Sequence, residues 1–344
     1  MEFNDQHIFV IAEVGCNHNG SLENARELIR CASRAGADAV KFQTFDPKRL
    51  LVQTAPKADY QIRATGAEES QYDRLCRLRL SEADHEMLKA YAEEHQLMFC
   101  STPFDRESAE YLNQLGMPFF KIASGEITNG PLLETVAAFG KPILLSTGMS
   151  DLKDVRRALD DIGTENRALV TLLHCLSDYP AKWEDANLRA IQTLRVAFDL
   201  PVGFSDHSQG IELPLVAAGL GAVVIEKHIT LSREMEGGDH RASLEPNEFI
   251  DMVAKLRKLP HALGDGIKRC MPSEENVRRV ARKSLVAERF IPQGAIITAD
   301  DLALKRPGTG LSPESLIKVI GMRARSDIAA DTLIEWTQLM PADD

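Results

Sequence analysis

Several features that mark common protein classes are missing from this sequence. No run approaches the ~18 apolar residues of a membrane-spanning helix, so we expect no association with a membrane. The first residues, MEFNDQHIFVIAEVG, carry no basic segment before an apolar one, so we expect no secretory signal and a cytoplasmic location. The six cysteines form no CxxC pair, which argues against a zinc ribbon or redox motif and favours buried free thiols.

Basic residues are also fewer than acidic ones. The 344 residues include 40 Lys and Arg against 51 Asp and Glu, which gives a formal net charge of −11. This acidic balance argues against a general nucleic-acid-binding protein. The hydrophobic fraction of 44% is that of a chain with a large core, so intrinsic disorder is excluded.

Short β-branched runs alternate with amphipathic stretches through the first three quarters of the chain. The strand candidates are Ile8–Gly15, Ala39–Phe45, Leu97–Pro103, Phe119–Glu126, Pro142–Gly148, Leu169–Cys175, Pro201–His207 and Val223–Thr230. The helix candidates are Leu22–Ala35, Ala83–Glu94, Leu132–Phe139, Leu152–Ile162, Asn187–Phe198, Ile211–Leu220 and Pro246–Leu263. This alternation predicts parallel βαβ units closed into a (β/α)8 TIM barrel. The competing doubly wound sheet often has a GxGxxG after its first strand, where this chain reads GCNHNG.

The alternation stops near Gly264, and this sets the predicted domain organisation. We predict a catalytic barrel over residues 1–265, a polar linker over 266–283 and a small β-rich module over 284–344. Because so small a module is marginal alone, we expect it to gain stability by docking on something larger. The longest irregular stretch, Pro47–Leu80, is expected to lie over the C-terminal mouth of the barrel.

The C-terminal ends of the predicted strands are unusually polar. In a barrel these ends build the active site, so their side chains converge on one mouth. Each has an ordinary explanation by itself, since a Ser or Thr commonly caps the next helix and a lone His or Lys is usually satisfied or solvated. Together, however, they would be costly to bury without a ligand or a metal.

The polar strand ends divide by chemistry. Cations and hydroxyls that suit a phosphate or carboxylate are Lys41, Thr102, Lys121, Ser124, Ser146 and Ser205. His207 and His228 end adjacent strands and can share a metal, for which Mn²⁺ or Mg²⁺ fits better than structural zinc. Glu226 shares a strand face with His228 and is a candidate to hold a metal-linked water or to move a proton. The loop after the last strand offers Asp239 and His240 to a polyol.

These strand ends, read as motifs, resemble the sialic acid synthase family. The motifs are IAEVGCNHNGSLENA, DAVKFQTF, CSTPFD, KIASGEI, LLSTGM, GFSDHSQGI, IEKHITL and GGDHRASLEP. The tail SLVAERFIPQGAIITADDLALKRPGTGLSP resembles the family's antifreeze-like (SAF) domain. The resemblance implies a TIM barrel followed by a small β-rich SAF domain. It also implies an enzyme that condenses phosphoenolpyruvate (PEP) with an N-acylated mannosamine-type sugar and water, releasing a nonulosonic acid and phosphate.

The resemblance further implies a role for each matched residue. PEP would be held by Lys41, Thr102, Lys121, Ser124, Ser146 and Ser205. The sugar hydroxyls would contact Gln43, Tyr179, Asp239 and His240. His207 and His228 would bind a divalent ion, usually Mn²⁺, which would polarise the sugar aldehyde. Glu13 and Glu226 would position or deprotonate the attacking water, and Arg306 would reach the N-acyl group in a partner's barrel, which implies a domain-swapped homodimer.

Two departures from the family pattern leave the sugar open. Leu176-Ser177-Asp178 stands where the family often has Asn, and Gly237-Gly238 stands where it usually has Gly-Pro. The stretch His240-Arg241-Ala242-Ser243 argues against a pseudaminic acid synthase. A sialic acid synthase acting on N-acetylmannosamine and a legionaminic acid synthase acting on 2,4-diacetamido-2,4,6-trideoxymannose both remain.

Three alternatives lie outside these synthases. An ice- or carbohydrate-binding role of the tail alone is disfavoured, because the tail has no regular Thr array and is short. The other two concern the barrel. The first is another PEP-dependent aldol synthase acting on a phosphorylated sugar, which needs a second cationic cluster that the sequence does not reveal. The second is a non-catalytic sugar- or anion-binding barrel, which would be expected to lose Glu13, Lys41 or a metal histidine. All of these residues are present.

Overall fold

The computed structural model describes residues 7–66 and 68–342, and its packing divides the chain into two units, Met1–Gly264 and Asp265–Asp344. Each unit has a hydrophobic core of its own. The strands of the first unit are β1 Phe9–Glu13, β2 Ala39–Thr44, β3 Met98–Pro103, β4 Phe120–Ile122, β5 Ile143–Ser146, β6 Val170–Cys175, β7 Val202–Asp206 and β8 Val224–His228. Its helices are α1 Leu22–Ala35, α2 Pro47–Leu50, α3 Asp59–Thr65, α4 Gln71–Leu78, α5 Glu82–Glu94, α6 Arg106–Gln114, α7 Gly130–Ala137, α8 Leu152–Ile162, α9 Ala190–Phe198, α10 Glu212–Gly219 and α11 Pro246–Leu263.

The eight strands form one parallel sheet in the order β3-β2-β1-β8-β7-β6-β5-β4, and β3 and β4 lie side by side to complete the ring. Helices on the outside cover the sheet, so both faces of nearly every strand are buried, as in other parallel sheets. The predicted TIM barrel is therefore confirmed. The register places Glu13 of β1 beside Lys41 of β2 and beside His228 of β8, and it places Ser205 of β7 beside Glu226 of β8.

The predicted elements differ from the observed ones at a few places. The bounds of α1, α8 and α11 agree with the prediction, because capping residues such as Ser21 and Asp151 mark the starts of α1 and α8 in the sequence. Strand β4 ends at Ile122 rather than at Glu126, because the chain turns into a 3-10 helix over Ser124–Glu126. Helix α6 was not predicted, since it buries only Ser108, Ala109 and Leu112 and its apolar pattern is weak.

The irregular stretch between β2 and β3 contains three short helices, α2 to α4. Side chains from α3 and α4, including Tyr60 and Arg74, line the same cavity as the strand ends. The stretch therefore lies over the mouth of the barrel, as predicted.

The second unit is a small β-rich module. It contains α12 Glu275–Ala281, β9 Ser284–Ala287, β10 Leu302–Lys305, α13 Leu316–Val319, β11 Arg323–Ala324 and β12 Leu339–Met340. Strand β9 pairs with β10, and β11 pairs with β12, both antiparallel. The whole stretch predicted as a linker, 266–283, belongs to this unit by its packing, and it contains α12. Among the described residues, no helix is both long and apolar enough to cross a membrane.

Candidate active site

A cavity of about 410 Å³ opens at the C-terminal ends of the barrel strands. Because side chains alternate along a strand, residues two apart such as Glu226 and His228 face the same interior. The predicted site residues that line the cavity are Glu13, Lys41, Gln43, Thr102, Lys121, Ser124, Ser146, Tyr179, Ser205, His207, Glu226, His228 and Asp239. The structure therefore brings together all of the predicted site residues except His240 and Arg306.

Two lysines and two glutamates form an inner cluster at the floor of the cavity, consisting of Glu13, Lys41, Lys121 and Glu226. Lys41 Nζ lies 2.6 Å from Glu13 Oε2 and 3.9 Å from Glu226 Oε1, and it donates to Thr102 Oγ1 at 3.1 Å. Lys121 Nζ lies 3.3 Å from the same Glu226 Oε1. Every member of the inner cluster is at most 4% exposed, so these charges interact in a poorly solvated environment.

Burial and neighbouring charge move the pKa values of the inner cluster apart. Burial raises the pKa of Glu13 to about 7, with Lys41 opposing the rise. Burial also acts to raise the pKa of Glu226, but Lys121 and Lys41 outweigh it and hold that pKa below its ordinary value. Burial lowers the pKa of Lys41, yet Glu13 and Glu226 outweigh it and leave the pKa above its ordinary value. Glu226 is thus a fixed anion, while Glu13 exchanges a proton near neutral pH.

Hydroxyl groups on β5 and on the turns after β4 and β6 line a second side of the cavity. Ser146 Oγ is buried and has no hydrogen-bond partner among the described residues, so it is free to donate to a ligand. The backbone N–H of Gly148 donates to Ser124 Oγ at 3.0 Å. A Cβ at Gly148 would stand 2.5 Å from Ser177 Oγ and 2.8 Å from Ser124 Oγ, so only glycine lets these groups approach each other. These groups suit an anionic oxygen.

The predicted metal ligands, His207 and His228, face each other with ring centroids 5.2 Å apart. His207 Nδ1 is hydrogen-bonded to the carbonyl oxygen of Leu176, which leaves Nε2 with a lone pair for a metal. His228 Nδ1 is buried without a partner, and burial holds the pKa of His228 well below its ordinary value, so the ring is neutral. The neighbouring Cys175 raises the pKa of His207 against the effect of burial, so a metal bound there takes the place of a proton on this ring. Two imidazole nitrogens fit a divalent ion that takes its other ligands from water or substrate. No group of three or more His, Cys, Asp or Glu in the described ranges forms a complete metal cage.

His240, a predicted sugar contact in the same unit as the cavity, does not line it. His240 is fully buried behind the loop after β8, where its ring nitrogens lie 2.7 Å from Thr230 Oγ1 and 3.3 Å from Asn19 Oδ1. It therefore braces this loop and does not line the cavity, because its hydrogen-bonding capacity is used within the loop. Arg306 belongs to the second unit and is exposed.

The cavity also contains residues that the sequence interpretation did not single out, namely Cys16, Tyr60, Gln61, Gln71, Arg74 and Met149. Tyr60 stacks on Tyr179 with ring centroids 4.9 Å apart, and Tyr179 in turn packs on His207 at 4.0 Å. Arg74 lies on the apolar face of α4 together with Leu75 and Leu78. An arginine at such a position is a sequence signal for a buried cation, and it was available without the structure.

This fold and this site define a (β/α)8-barrel enzyme whose mouth is built for a small anionic substrate and a polar co-substrate. The cluster, the hydroxyls and the imidazoles come from several strands of one ring, which is how barrel enzymes assemble their chemistry. The chain belongs to the NeuB family, whose model matches residues 28–268. The SAF domain model matches residues 282–340.

Individual relatives agree with this assignment. The N,N'-diacetyllegionaminic acid synthase of Legionella pneumophila is 43% identical over 96% of this chain and 94% of its own length. The enzyme of the same name from Campylobacter jejuni is 44% identical over 94% of this chain and 98% of its own length. The crystal structure of an N-acetylneuraminic acid synthetase from Leptospira borgpetersenii superposes with a TM-score of 0.71 at 34% identity, covering 79% of this chain and 90% of that one.

Proposed function

We propose that this protein condenses PEP with an N-acylated mannosamine-type sugar and water to give a nonulosonic acid and phosphate. The observation that carries the proposal is the inner cluster. Its two buried lysines face one ionised glutamate and Glu13, whose raised pKa lets it become neutral, so a small polyanion completes the charge balance. The family assignment supports the same reaction class.

The PEP subsite of this proposal lies at Lys41, Thr102, Lys121, Ser124, Ser146 and Ser205. The two ammonium groups offset the phosphate and carboxylate charges of PEP. Ser146 Oγ supplies a donor that has no partner in the described protein. Ser205 Oγ donates to Glu226 Oε1 at 2.9 Å, so it holds this carboxylate in place beside the ligand.

The chemistry forms a bond between C3 of PEP and the aldehyde carbon of the open-chain sugar. The aldehyde oxygen takes up a proton and becomes a hydroxyl. Water adds at C2 and loses a proton, and the C2–O bond to phosphate then breaks to leave the 2-keto acid. Glu13, with a pKa of about 7, accepts the proton of this water at neutral pH, and Glu226 stabilises the positive charge that develops at C2.

The sugar subsite is proposed on the opposite side of the cavity. His207 and His228 hold a divalent metal, for which we propose Mn²⁺ with Mg²⁺ as the alternative, and a metal there polarises the aldehyde oxygen. Gln43, Tyr179 and Asp239 contact the sugar hydroxyls, and all three line the cavity. We further propose that the protein works in the cytoplasm as a domain-swapped homodimer in which Arg306 reaches the partner's sugar.

Between the two sugars left open by the sequence, we propose 2,4-diacetamido-2,4,6-trideoxymannose as the substrate. The two relatives at 43% and 44% identity are both N,N'-diacetyllegionaminic acid synthases, and each covers nearly the whole chain. N-acetylmannosamine is the second candidate, because the Leptospira structure is that of an N-acetylneuraminic acid synthetase.

The test is phosphate release from PEP with each sugar in turn, before and after removal of divalent metal. We expect release with at least one N-acyl sugar, a loss of about 100-fold or more after chelation, and recovery when Mn²⁺ is returned. His207→Ala should lose activity in the same way and should not respond to Mn²⁺. Full activity after metal removal would contradict the metal role, and a wild-type enzyme that is silent with every N-acyl sugar would contradict the proposed function.

A further inference from the structure

The wall of the cavity that α4 supplies contains a buried cation with no protein counter-ion. Arg74 is 4% exposed and lines the cavity, yet no described residue forms an ion pair or hydrogen bond with its side chain. Gly238 approaches it from the loop after β8, and a Cβ there would stand 3.6 Å from Arg74 Nη2. Gly238 itself has no side chain to cover the guanidinium. Burying an unpaired charge in this way is costly unless a ligand completes it.

A second unsatisfied group stands beside Arg74. Gln71 lies three residues earlier on α4, so the two side chains share one helix face. Gln71 also lines the cavity, and its Oε1 is buried without a hydrogen-bond partner among the described residues. The helix therefore presents one donor and one acceptor that the protein itself leaves unpaired.

The charge around this pair favours a neutral ligand. The cavity also contains the Asp239 carboxylate, which forms no ion pair with Arg74 but acts on the same neighbours, Tyr60 and Cys16. Burial raises the pKa of Tyr60, Asp239 adds to the rise, and Arg74 opposes it. A dianionic phosphate in this space would be attracted by Arg74 and repelled by Asp239, so the net electrostatic stabilisation would be small. A polar neutral group gains hydrogen bonds to a charged donor.

The position of the pair places it away from the reacting carbon. A Cβ on Gly238 would stand 3.4 Å from Tyr60 Cε2, so Tyr60 and Arg74 are neighbours. Tyr60 stacks on Tyr179, and Tyr179 packs on His207. The rings of Tyr179 and Tyr60 thus connect His207 to the neighbourhood of Arg74, so Arg74 lies away from the proposed position of the aldehyde.

We propose that Arg74 and Gln71 form a subsite for a secondary amide of the sugar, away from its reacting aldehyde. The guanidinium donates to the amide carbonyl oxygen, and Gln71 Oε1 accepts from the amide N–H. This inference rests on the proposed function and deepens it, because it assigns the residues that recognise the 4-acetamido group of 2,4-diacetamido-2,4,6-trideoxymannose. A site built to bond such a group discriminates strongly against a sugar that lacks it.

The test compares Arg74→Met with Arg77→Met, one helical turn further along α4. Arg77 is exposed and pairs with Glu69, so it is a matched control on the same helix. For Arg74→Met we expect KM for the diacetamido sugar to rise roughly 30-fold or more, as for loss of a hydrogen bond to a charged group. KM for PEP should stay within about twofold, and kcat/KM with N-acetylmannosamine should change by less than about threefold. Gln71→Leu should show the same pattern with a smaller rise, and Arg77→Met should match the wild type.

Several results would overturn the subsite. Equal losses with both sugars would show that Arg74 acts on the whole cavity rather than on one amide. A loss confined to a 6-phosphorylated sugar would assign Arg74 to a phosphate instead. No loss with either sugar would leave the guanidinium without a role in recognition. A wild-type enzyme that releases no phosphate with any N-acyl sugar would remove the proposed function and this subsite together, whereas the first three results remove the subsite alone.

Discussion

Strands β7 and β8 carry buried charges on both of their faces, and the two faces differ in how well those charges are satisfied. On the outer face, Lys227 Nζ donates to Asp206 Oδ2 at 2.5 Å and to the carbonyl oxygen of Ser208, while Asp206 Oδ1 accepts from Ser208 N–H at 2.9 Å. On the inner face, Glu226 Oε2 and His228 Nδ1 are buried and have no hydrogen-bond partner among the described residues.

This difference separates a structural ion pair from a binding site. The outer pair, Asp206 and Lys227, is closed on itself and has no access to the cavity, so nothing remains for a ligand to complete. The inner cluster keeps unpaired acceptors next to a cavity, which costs free energy in the unliganded protein and is recovered on binding. Burial therefore does not distinguish the outer pair from the inner cluster. The presence of buried polar atoms without a hydrogen-bond partner does.

The largest effect is expected from Lys121→Met, which removes one cation from the inner cluster. We expect kcat/KM for PEP to fall about 10³-fold or more, roughly 4 kcal/mol, because the anionic substrate loses a buried charged donor. The barrel should keep its thermal stability within about 1 kcal/mol, since Lys41 still offsets Glu226 while Glu13 takes up a proton. Phosphate-release kinetics and circular dichroism melting measure the two quantities. A large loss of stability would show that this lysine is structural, contrary to the comparison.

The same substitution on the outer face should give the reverse result. Lys227→Met leaves the Asp206 carboxylate buried without its partner, and we expect the unfolding free energy to fall by about 3–5 kcal/mol. The melting temperature of the barrel should fall by about 10 °C. Activity per folded molecule should stay within about twofold, because Lys227 does not line the cavity. Removing both charges with Asp206→Leu in the same chain should recover much of the lost stability, and failure to recover any would contradict the ion-pair explanation.

The sequence predicted the inner cluster because strand pleat and barrel closure leave little freedom. Once eight strands are parallel, the ends of β2, β4 and β8 must point Lys41, Lys121 and Glu226 at one mouth. Arg74 and Gln71 were not predicted, because they come from a connection between strands whose path the barrel does not dictate. The periodicity of α4 marks Arg74 as buried, but which part of the barrel it is buried against depends on tertiary packing.

His240 is a second residue whose position the sequence did not fully predict. Its place in the loop after β8 was predicted, and its neighbour Asp239 does line the cavity. The side chain of His240 nevertheless turns away, since Gly237, with φ +152°, bends the loop so that its Cβ position would stand 2.6 Å from the imidazole. The hydrogen bonds of the ring to Thr230 and Asn19 follow from that bend. The orientation of a single side chain such as this one depends on local backbone geometry, which the sequence motif alone does not reveal.

The smallest effect we predict is the pH dependence that Glu13 gives to stability. Its pKa is about 7 in the folded protein and near 4.5 in the unfolded chain, so between pH 5 and 7 the folded state holds a proton that the unfolded state has lost. The unfolding free energy therefore falls as the pH rises through this window, by about 2 kcal/mol or 5 °C in melting temperature.

Glu13→Gln should remove that contribution, because a neutral amide does not titrate. Melting curves of the variant and the wild type at pH 5.5, 6.5 and 7.5 measure this contribution. The melting temperature of the variant relative to that of the wild type should increase as the pH rises. Glu134→Gln, on the exposed surface of α7, is the matched control and should follow the wild type. If Glu13→Gln also follows the wild type, Glu13 is ionised throughout this range. The inner cluster would then be charged like the outer pair, and only its unpaired acceptors would set it apart.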